Sequence, residues 1–206
     1  MNGIYELKTE KNEYLSKSGE LLVKSAVTLP HFTEDGRFAE KANTFYGGIS
    51  RNFGVFCEKK LKKRALKRPP GLQNAPFGAV MKAKVTYADE EYVSVIIDTF
   101  LFDGVKRGGT ARVAQVWNRT DAFLESADRF MPPELMCRVT EIIASEARGR
   151  ESQGTADYKS RVGTRIASRF SPVRFYLTPS GIAFFYDPGE LSESPFPEVF
   201  IVKIPK

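Results

Sequence analysis

The stretch Ala79–Trp117, AVMKAKVTYADEEYVSVIIDTFLFDGVKRGGTARVAQVW, holds three alternating apolar runs separated by two short turn-like segments. In the first run, Met81, Ala83 and Val85 share one face and lysines occupy the other. This period of two is typical of β-strands, because successive side chains point to opposite sides of a sheet. Three such runs predict an antiparallel meander, whose middle strand is central because it is apolar on both faces.

Upstream of this meander, the sequence predicts one more strand and a long helix. Apolar residues alternate from Leu21 to Leu29, and Pro30 is expected to end the strand because proline cannot donate a ladder hydrogen bond. Gly47 and Gly48 are expected to let the helix approach the sheet closely or to bend it. The helix is indicated by an apolar stripe at spacings of three and four residues: Phe38, Ala42, Phe45, Ile49, Phe53 and Phe56.

Downstream of the meander, two further helices are predicted. The second helix begins at Pro132-Pro133, since proline suits the first helical position, and residues 149–154 are expected to break it. Its buried face comprises Leu135, Val139, Ile142 and Ile143. The third helix is marked by Tyr158, Val162, Ile166 and Phe170.

A hairpin is predicted near the C-terminus. Two apolar runs flank Thr178-Pro179-Ser180-Gly181, where proline suits the second turn position and glycine the fourth. This turn sets the register and predicts Leu177 opposite Ile182 and Phe175 opposite Phe184.

Together these elements predict an α+β fold. An antiparallel meander sheet is covered by the long N-terminal helix and two further helices, with the C-terminal hairpin and a closing strand over residues 199–204. Residues 1–20 form an N-terminal arm, either loose or an edge strand, and residues 21–206 form a single α+β domain.

The composition limits the chemistry that the chain can perform. The 206 residues carry a formal charge of +6, a small excess for binding an acidic partner. His31, the only histidine, is expected in a surface loop, and a single imidazole excludes most catalytic zinc sites. Cys57 and Cys137 are expected to be reduced and buried. We expect no metal and no cofactor.

The sequence also predicts a cytoplasmic location and no membrane span. No apolar run approaches the ~20 residues that cross a bilayer. The N-terminal segment lacks the apolar core of a signal peptide.

A run of basic residues precedes the meander and has two interpretations. It is a nucleic-acid contact, since clustered cations release counterions from phosphates, or it is a solvated, poorly ordered helix end whose cations favour the helix dipole. We favour the helix end because no aromatic residue is interleaved to stack on bases. The run comprises Lys59, Lys60, Lys62, Lys63, Arg64, Lys67 and Arg68.

The second turn of the meander is the predicted binding site. It combines glycines and cations with aromatic residues of the preceding strand, and such loops on a rigid sheet often carry recognition. The equally weighted alternative is an ordinary mobile hairpin tip. The candidate binding residues are Phe100, Phe102, Lys106, Arg107, Gly108 and Gly109.

Catalysis is the third choice. Asp98 lies within an otherwise apolar run, and a turn centred near Val105 places it opposite Arg112, where an ion pair satisfies both groups without chemistry. No glycine-rich phosphate loop is present, and the serines near the C-terminus lack a histidine base. No catalytic residue is therefore predicted.

Several motifs resemble the C-terminal domain of anti-sigma-V factors, a family of unknown general function from spore-forming and related Gram-positive bacteria. The motifs that carry the resemblance are the hairpin FYLTPSGI at residues 175–182, FYDP at 185–188 and the C-terminal segment 197–205. The resemblance extends upstream to Phe45-Tyr46, the turn Gly108-Gly109 and the strand end Val116-Trp117-Asn118. The chain resembles an anchor-less, soluble member.

The resemblance implies an α+β domain that binds rather than catalyses. The best-known members lie outside the membrane, where one senses host lysozyme and others accompany cell-wall deacetylases. Lysozyme is strongly basic, so a chain already at +6 is repelled at long range. We predict no tight lysozyme complex.

The leading hypothesis is a non-enzymatic, soluble binding module for a protein or small ligand. The alternative is a nucleic-acid-associated basic protein, and an enzyme of unrecognised type comes third.

Overall fold

The computed structural model describes residues 3–68, 75–105 and 107–204, with only the backbone described at Arg107. The chain divides into two compact units. Unit 1 comprises Met1–Lys84 and Ile97–Gly109, and unit 2 comprises Val85–Ile96 and Thr110–Lys206. The single domain proposed for residues 21–206 stays a prediction.

The larger sheet has six strands in chain order. β1 and β2 are antiparallel, whereas β2 and β3 are parallel. The short connection between the neighbouring strands β3 and β4 requires them to be antiparallel. The α+β fold class is therefore confirmed. The strands are β1 (Tyr5–Leu15), β2 (Leu21–Phe32), β3 (Phe77–Ala88), β4 (Tyr92–Phe102), β5 (Arg107–Asn118) and β6 (Phe123–Leu124).

Strand β1 is the edge strand of this sheet. It pairs with β2 from Tyr5 opposite Phe32 to Leu15 opposite Leu21. Of the two alternatives for residues 1–20, the edge strand therefore describes Tyr5–Leu15. The sequence left this open because β1 lacks the apolar alternation that marks a half-buried strand.

Strand β2 continues through Pro30 to Phe32, so the predicted end at Pro30 was wrong. Within β2, only the residues Val23–Thr28 pair with β3. Pro30 therefore has no partner strand on that side, and a residue without an N–H leaves no ladder hydrogen bond unmade there. His31 lies in this strand, half-buried, and not in a loop.

The long predicted helix is a continuous helical segment of three parts. Helix α1 spans Arg37–Phe56, a π turn spans Cys57–Leu61, and helix α2 spans Lys62–Leu66. The basic run was expected to be a poorly ordered end, but its first part belongs to this regular segment.

The π turn keeps one side of the segment buried. Phe53, Cys57, Leu61 and Ala65 are all buried and recur every four residues. Four residues of α-helix turn through about 400°, so this spacing drifts by about 40° at each step. A π turn takes more residues per turn and cancels part of the drift.

Helix α1 packs against β2 in unit 1. Asn43 joins the two, because its side-chain amide donates to the Phe32 carbonyl at 2.9 Å and its Oδ1 accepts from the Phe32 N–H at 2.8 Å. The buried face includes Tyr46, whereas the predicted Phe45 and Ile49 are only half-buried. The predicted stripe was therefore rotated slightly away from the true buried face.

Unit 2 contains helix α3 (Pro133–Ser152) and helix α4 (Val162–Arg169). α3 begins at the predicted proline pair but continues through Gly149, where a break was expected. Arg150 secures this last turn, since it donates to the Val199 carbonyl at 2.9 Å and lies 4.4 Å from the Phe200 ring centroid. Tyr158 precedes α4 and forms an isolated bridge instead of a helical turn.

A three-stranded antiparallel sheet completes unit 2, with β7 (Phe175–Thr178), β8 (Gly181–Tyr186) and β9 (Glu198–Val202). Leu177 pairs with Ile182 and Phe175 pairs with Phe184, so the predicted register is confirmed. One apolar core cluster combines residues of α3, α4 and these strands.

Candidate functional site

The edge strand β1 presents a polar face beside helix α1. Lys8, Glu10, Asn12 and Tyr14 occupy alternate positions and therefore share one face of the strand. All four line cavities that α1 also borders. Since a polar face cannot be sealed by apolar packing, the space between it and the helix stays accessible.

Strand β2 supplies the floor of this space. Val27 lies across from Glu10, and Ser25 lies across from Asn12. Both floor residues are buried, with 4% and 6% of their surface exposed.

The wall formed by α1 includes three small residues on one helix face. Gly47, Ser50 and Gly54 are spaced by three and four positions, which places them on one helix face. A Cβ at Gly54 would lie 3.8 Å from the Tyr14 hydroxyl oxygen. This face is therefore turned toward β1, and the missing side chain at Gly47, where a Cβ would meet only the Arg51 guanidinium, contributes to the open space.

We call this space, formed by two adjoining cavities, the α1 groove. The cavity volumes are about 550 Å³ and about 110 Å³. They share the lining residues Glu10, Val27, Gly47 and Ser50. The larger cavity continues toward the π turn, and the smaller continues toward His31.

Two hydrogen bonds cross from α1 to β1. The Ser50 hydroxyl donates to the Glu10 carboxylate at 2.8 Å, and the Tyr14 phenol donates to the Gly54 carbonyl at 3.4 Å. They fix the separation between the helix and the edge strand, so the groove has defined walls in the absence of a ligand.

Tyr14, Ser25 and the buried Cys57 lie together at one end of the groove. Burial raises the pKa of the Cys57 thiol and also raises the pKa of Tyr14. Both groups are therefore neutral near pH 7. A buried neutral thiol is a poor nucleophile, so this cluster is suited to structure more than to covalent chemistry.

The charges around the larger cavity do not cancel by internal pairing. Glu58 is paired with Lys62 at 2.8 Å. Arg51 and Lys59 make no ion pair with any residue that the structure describes, and both side chains are exposed. These cations are available to an incoming ligand.

The predicted binding site at the second turn of the meander falls only partly within the described residues. Lys106 lies outside them, and the side chain of Arg107 does too. Phe100 and Phe102 are half-buried at the end of β4.

The two glycines of that predicted site differ in their surroundings. A Cβ at Gly108 would lie 3.3 Å from the Leu101 carbonyl oxygen, whereas a Cβ at Gly109 would meet nothing within 4 Å. The site stays a prediction.

Arg68 contacts the chain where it leaves β4 and enters that turn. Its guanidinium donates to the Ala75 carbonyl at 2.9 Å and to the Asp103 carbonyl at 2.6 Å. It also lies 4.0 Å from the centroid of the Phe77 ring. Gly104 has a φ of +87°, and any Cβ there would collide with Arg68. The last residue of the basic run is therefore a structural contact.

The other residues of the basic run lie mainly on the exposed side of the helical segment. Lys62 pairs with Glu58 and is half-buried. Behind the run, the buried Leu61 and Ala65 face the core. The fully exposed cations are Lys59, Lys60, Lys63, Arg64 and Lys67.

Arg112 lies against aromatic rings of unit 2. Its guanidinium carbon is 5.9 Å from the Tyr176 ring centroid and 6.0 Å from that of Phe185. These rings explain its position by cation–π attraction. The predicted pairing of Asp98 with Arg112 stays a prediction.

Sequence reasoning did not identify the α1 groove. Its signal was the spacing of Gly47, Ser50 and Gly54, but only Gly47 and Gly48 were considered, as points where the helix approaches the sheet closely or bends. A Cβ at Gly47 would meet only the Arg51 guanidinium, at 3.6 Å. Gly47 therefore borders open space, and this part of the prediction was wrong.

Over the ranges 3–68, 75–105 and 107–204, no group of three or more His, Cys, Asp or Glu side chains is arranged to hold a metal ion. Within those same ranges, no helix is long and apolar enough to cross a membrane.

Two solved structures are similar to this chain in fold. A member of the DUF3298 family from Bacteroides fragilis aligns with a TM-score of 0.63 and 8% identity, covering 98% of this chain and 92% of that one. A DUF3298 family protein from Pseudomonas aeruginosa aligns with a TM-score of 0.59 and 15% identity, covering 96% and 91%. No family model and no curated protein matches the sequence. At these identities the likeness shows the fold alone.

Proposed function

We propose that the chain is a non-enzymatic binding module whose ligand, a protein segment or a small molecule, lies in the α1 groove. The observation that carries this proposal is a cavity of about 550 Å³, lined by Gly47, Ser50 and Gly54 of α1 and by the polar face of the edge strand β1. Ligand sites are commonly pre-formed clefts of this size with a few placed polar groups.

The chemistry of the lining supports binding over catalysis. Glu10 is held by Ser50, and the Cys57 thiol is neutral because burial raises its pKa. A covalent mechanism needs an activated nucleophile beside a base, and this pair of groups does not supply one.

The test uses two adjacent glycines with equal effects on helix propensity. Gly47→Leu places a side chain in the groove. Gly48→Leu is the control, since Gly48 is not among the described residues that line either cavity. Thermal melting with small molecules and peptides should reveal ligands that stabilise the wild type and Gly48→Leu but not Gly47→Leu. Ligand shifts that are equal in all three proteins, or absent from all, would reject the proposal.

Nucleic-acid binding is the second candidate, favoured by the five exposed cations of the basic run. Lys60, Lys63 and Arg64 lie outside the groove lining, so a triple glutamine variant leaves the groove intact. If the run contacts phosphates, the affinity for a labelled oligonucleotide falls steeply with salt, and the variant flattens that dependence. Salt-independent or unmeasurable binding contradicts this candidate.

We further propose a cytoplasmic location, supported by two free cysteines. Cys137 is exposed, which corrects the expectation that both thiols are buried; its place on an outer face of α3 explains this. In protein purified without reductant, Cys137 should react rapidly with a thiol reagent and Cys57 only after denaturation. Two unreactive thiols in the denatured protein would indicate an oxidising compartment.

The relationship to anti-sigma-V C-terminal domains also remains our proposal, supported by the motif 175–182, which forms the β7–β8 hairpin. We retain the expectation of no tight lysozyme complex, because both proteins are basic. Calorimetric titration at low salt, where repulsion is least screened, should show no heat of binding. Submicromolar affinity would overturn this expectation.

A further inference from the structure

The α1 groove is long, and its length restricts the shape of its ligand. On the helix, the lining extends from Asn43 to Lys59, which corresponds to about 24 Å at a rise of about 1.5 Å per residue. On β1 it extends from Lys8 to Tyr14, or about 20 Å. An extended peptide of about six residues has this length.

The walls also present groups that suit a peptide backbone. Gly47 carries no side chain and a Cβ there would meet only the Arg51 guanidinium, so a second backbone can approach the helix closely at this point. On the opposite wall, the exposed Asn12 carboxamide has no hydrogen-bond partner among the described residues. A carboxamide can both donate to a peptide carbonyl and accept from a peptide N–H.

The charges that line the groove indicate the sign of the charge on that peptide. Arg51 and Lys59 are cations without an ion-pair partner in the described part of the chain, and Glu10 already accepts a hydrogen bond from Ser50. Glu10 keeps its charge, and Glu58 is neutralised by Lys62, so the two cations leave an excess of one positive charge, which favours a ligand that brings negative charge.

We propose that the α1 groove binds an extended, acidic segment of another protein, with a ligand carboxylate contacting Arg51 and the ligand backbone passing close to Gly47. This inference rests on the proposed function and narrows its ligand. The negative charge pairs with Arg51 and Lys59, while Asn12 and the floor of β2 contact the peptide itself.

The experiment is selection of random octapeptides displayed on phage against the full chain. Peptides recovered on wild type should be enriched in Asp and Glu. A fluorescent synthetic copy of the dominant peptide should bind wild type and Gly48→Leu equally and bind Gly47→Leu at least tenfold more weakly. Arg51→Gln should weaken binding about fivefold, since an exposed ion pair contributes up to about 1 kcal/mol, and should reduce its salt dependence.

The outcomes separate this inference from the proposed function. Selected peptides that lack acidic enrichment but lose affinity for Gly47→Leu would overturn the acidic ligand and leave the groove as a binding site. Peptides that bind Gly47→Leu as well as wild type, or no recovered peptide, would overturn the inference, and the small-molecule melting screen would then decide the proposed function. Melting curves of each variant establish that it is folded.

Discussion

In unit 2, helix α3 buries Val139 and Ile143 in one apolar cluster with Phe184 and Phe200 of the three-stranded sheet. In unit 1, the face of α1 turned toward β1 includes Gly47, Ser50 and Gly54 and borders the α1 groove, whose larger cavity has a volume of about 550 Å³. Both helices have 20 residues. The difference therefore lies in side-chain volume, and it indicates that one helix face serves stability and the other leaves room for a ligand.

Truncating a buried side chain in the close-packed core of unit 2 should destabilise the protein more than any change at the α1 groove of unit 1. Phe184 is 1% exposed, and its ring centroid lies 5.3 Å from that of Phe170. Phe184→Ala should lower the free energy of unfolding by about 3–5 kcal/mol, because it leaves a cavity in a close-packed core. Urea denaturation measures this loss.

Val113→Ala is the control for that measurement, because Val113 is 51% exposed and its truncation should change stability by less than about 0.5 kcal/mol. Equal effects of the two substitutions would show that the unit 2 cluster is not tightly packed.

In unit 1, the Arg68 anchor should contribute less than that core but more than a surface cation. Arg68→Met keeps the apolar stem and removes the hydrogen bonds to Ala75 and Asp103. Loss of these bonds and of the Phe77 contact should cost about 2 kcal/mol. The control is the exposed Lys67→Met, which should cost less than about 0.5 kcal/mol. If the two variants melt together, the anchor has no energetic role.

The sequence predicted best where structure is local. The turn at residues 178–181 determined the β7–β8 register within a few positions of itself. By contrast, the Arg68 bond to Asp103 joins residues 35 positions apart, and no periodic pattern encodes such a partner. The parallel pairing of β2 with β3 was missed for the same reason, since a long crossover lies between them.

To predict the groove from the sequence, both of its walls would have to be known. Gly47, Ser50 and Gly54 were visible as a small-residue face, but such a face has opposite meanings against a packed sheet and against open space. The opposing wall is β1, whose polar alternation of Glu10 and Asn12 did not distinguish an edge strand from a loose arm. The candidate site therefore could not be derived from either segment alone.

The two units also differ in how a tyrosine makes their stability depend on pH. Burial raises the pKa of Tyr186, and its hydroxyl donates to the Ile166 carbonyl at 3.3 Å. An unfolded tyrosine loses its proton near pH 10, whereas Tyr186 in the folded chain keeps it. Its stabilising contribution is therefore complete below pH 10 and is lost as the pH rises toward the folded pKa.

The measurement is urea denaturation between pH 9 and about pH 11, where each such tyrosine contributes a slope of up to about 1.4 kcal/mol per pH unit. Tyr186→Phe should unfold more easily at pH 7 but lose less stability in that range. Tyr14→Phe, whose phenol lies beside the groove, should change the slope less. Identical slopes in wild type and Tyr186→Phe would show that Tyr186 ionises freely in the folded chain.

Alanine substitutions at the two adjacent glycines of α1 have the smallest expected effect, but they test the open groove most directly. Gly47→Ala and Gly48→Ala should each raise the free energy of unfolding by about 0.5–1 kcal/mol, because alanine favours a helix and both positions have room for a Cβ. At Gly47 that atom would meet only the flexible end of Arg51, at 3.6 Å. If α1 instead packed closely on the sheet at this point, Gly47→Ala would force the two apart and destabilise the protein, while Gly48→Ala would still stabilise it. Parallel urea titrations of the two variants therefore distinguish an open groove from a close contact.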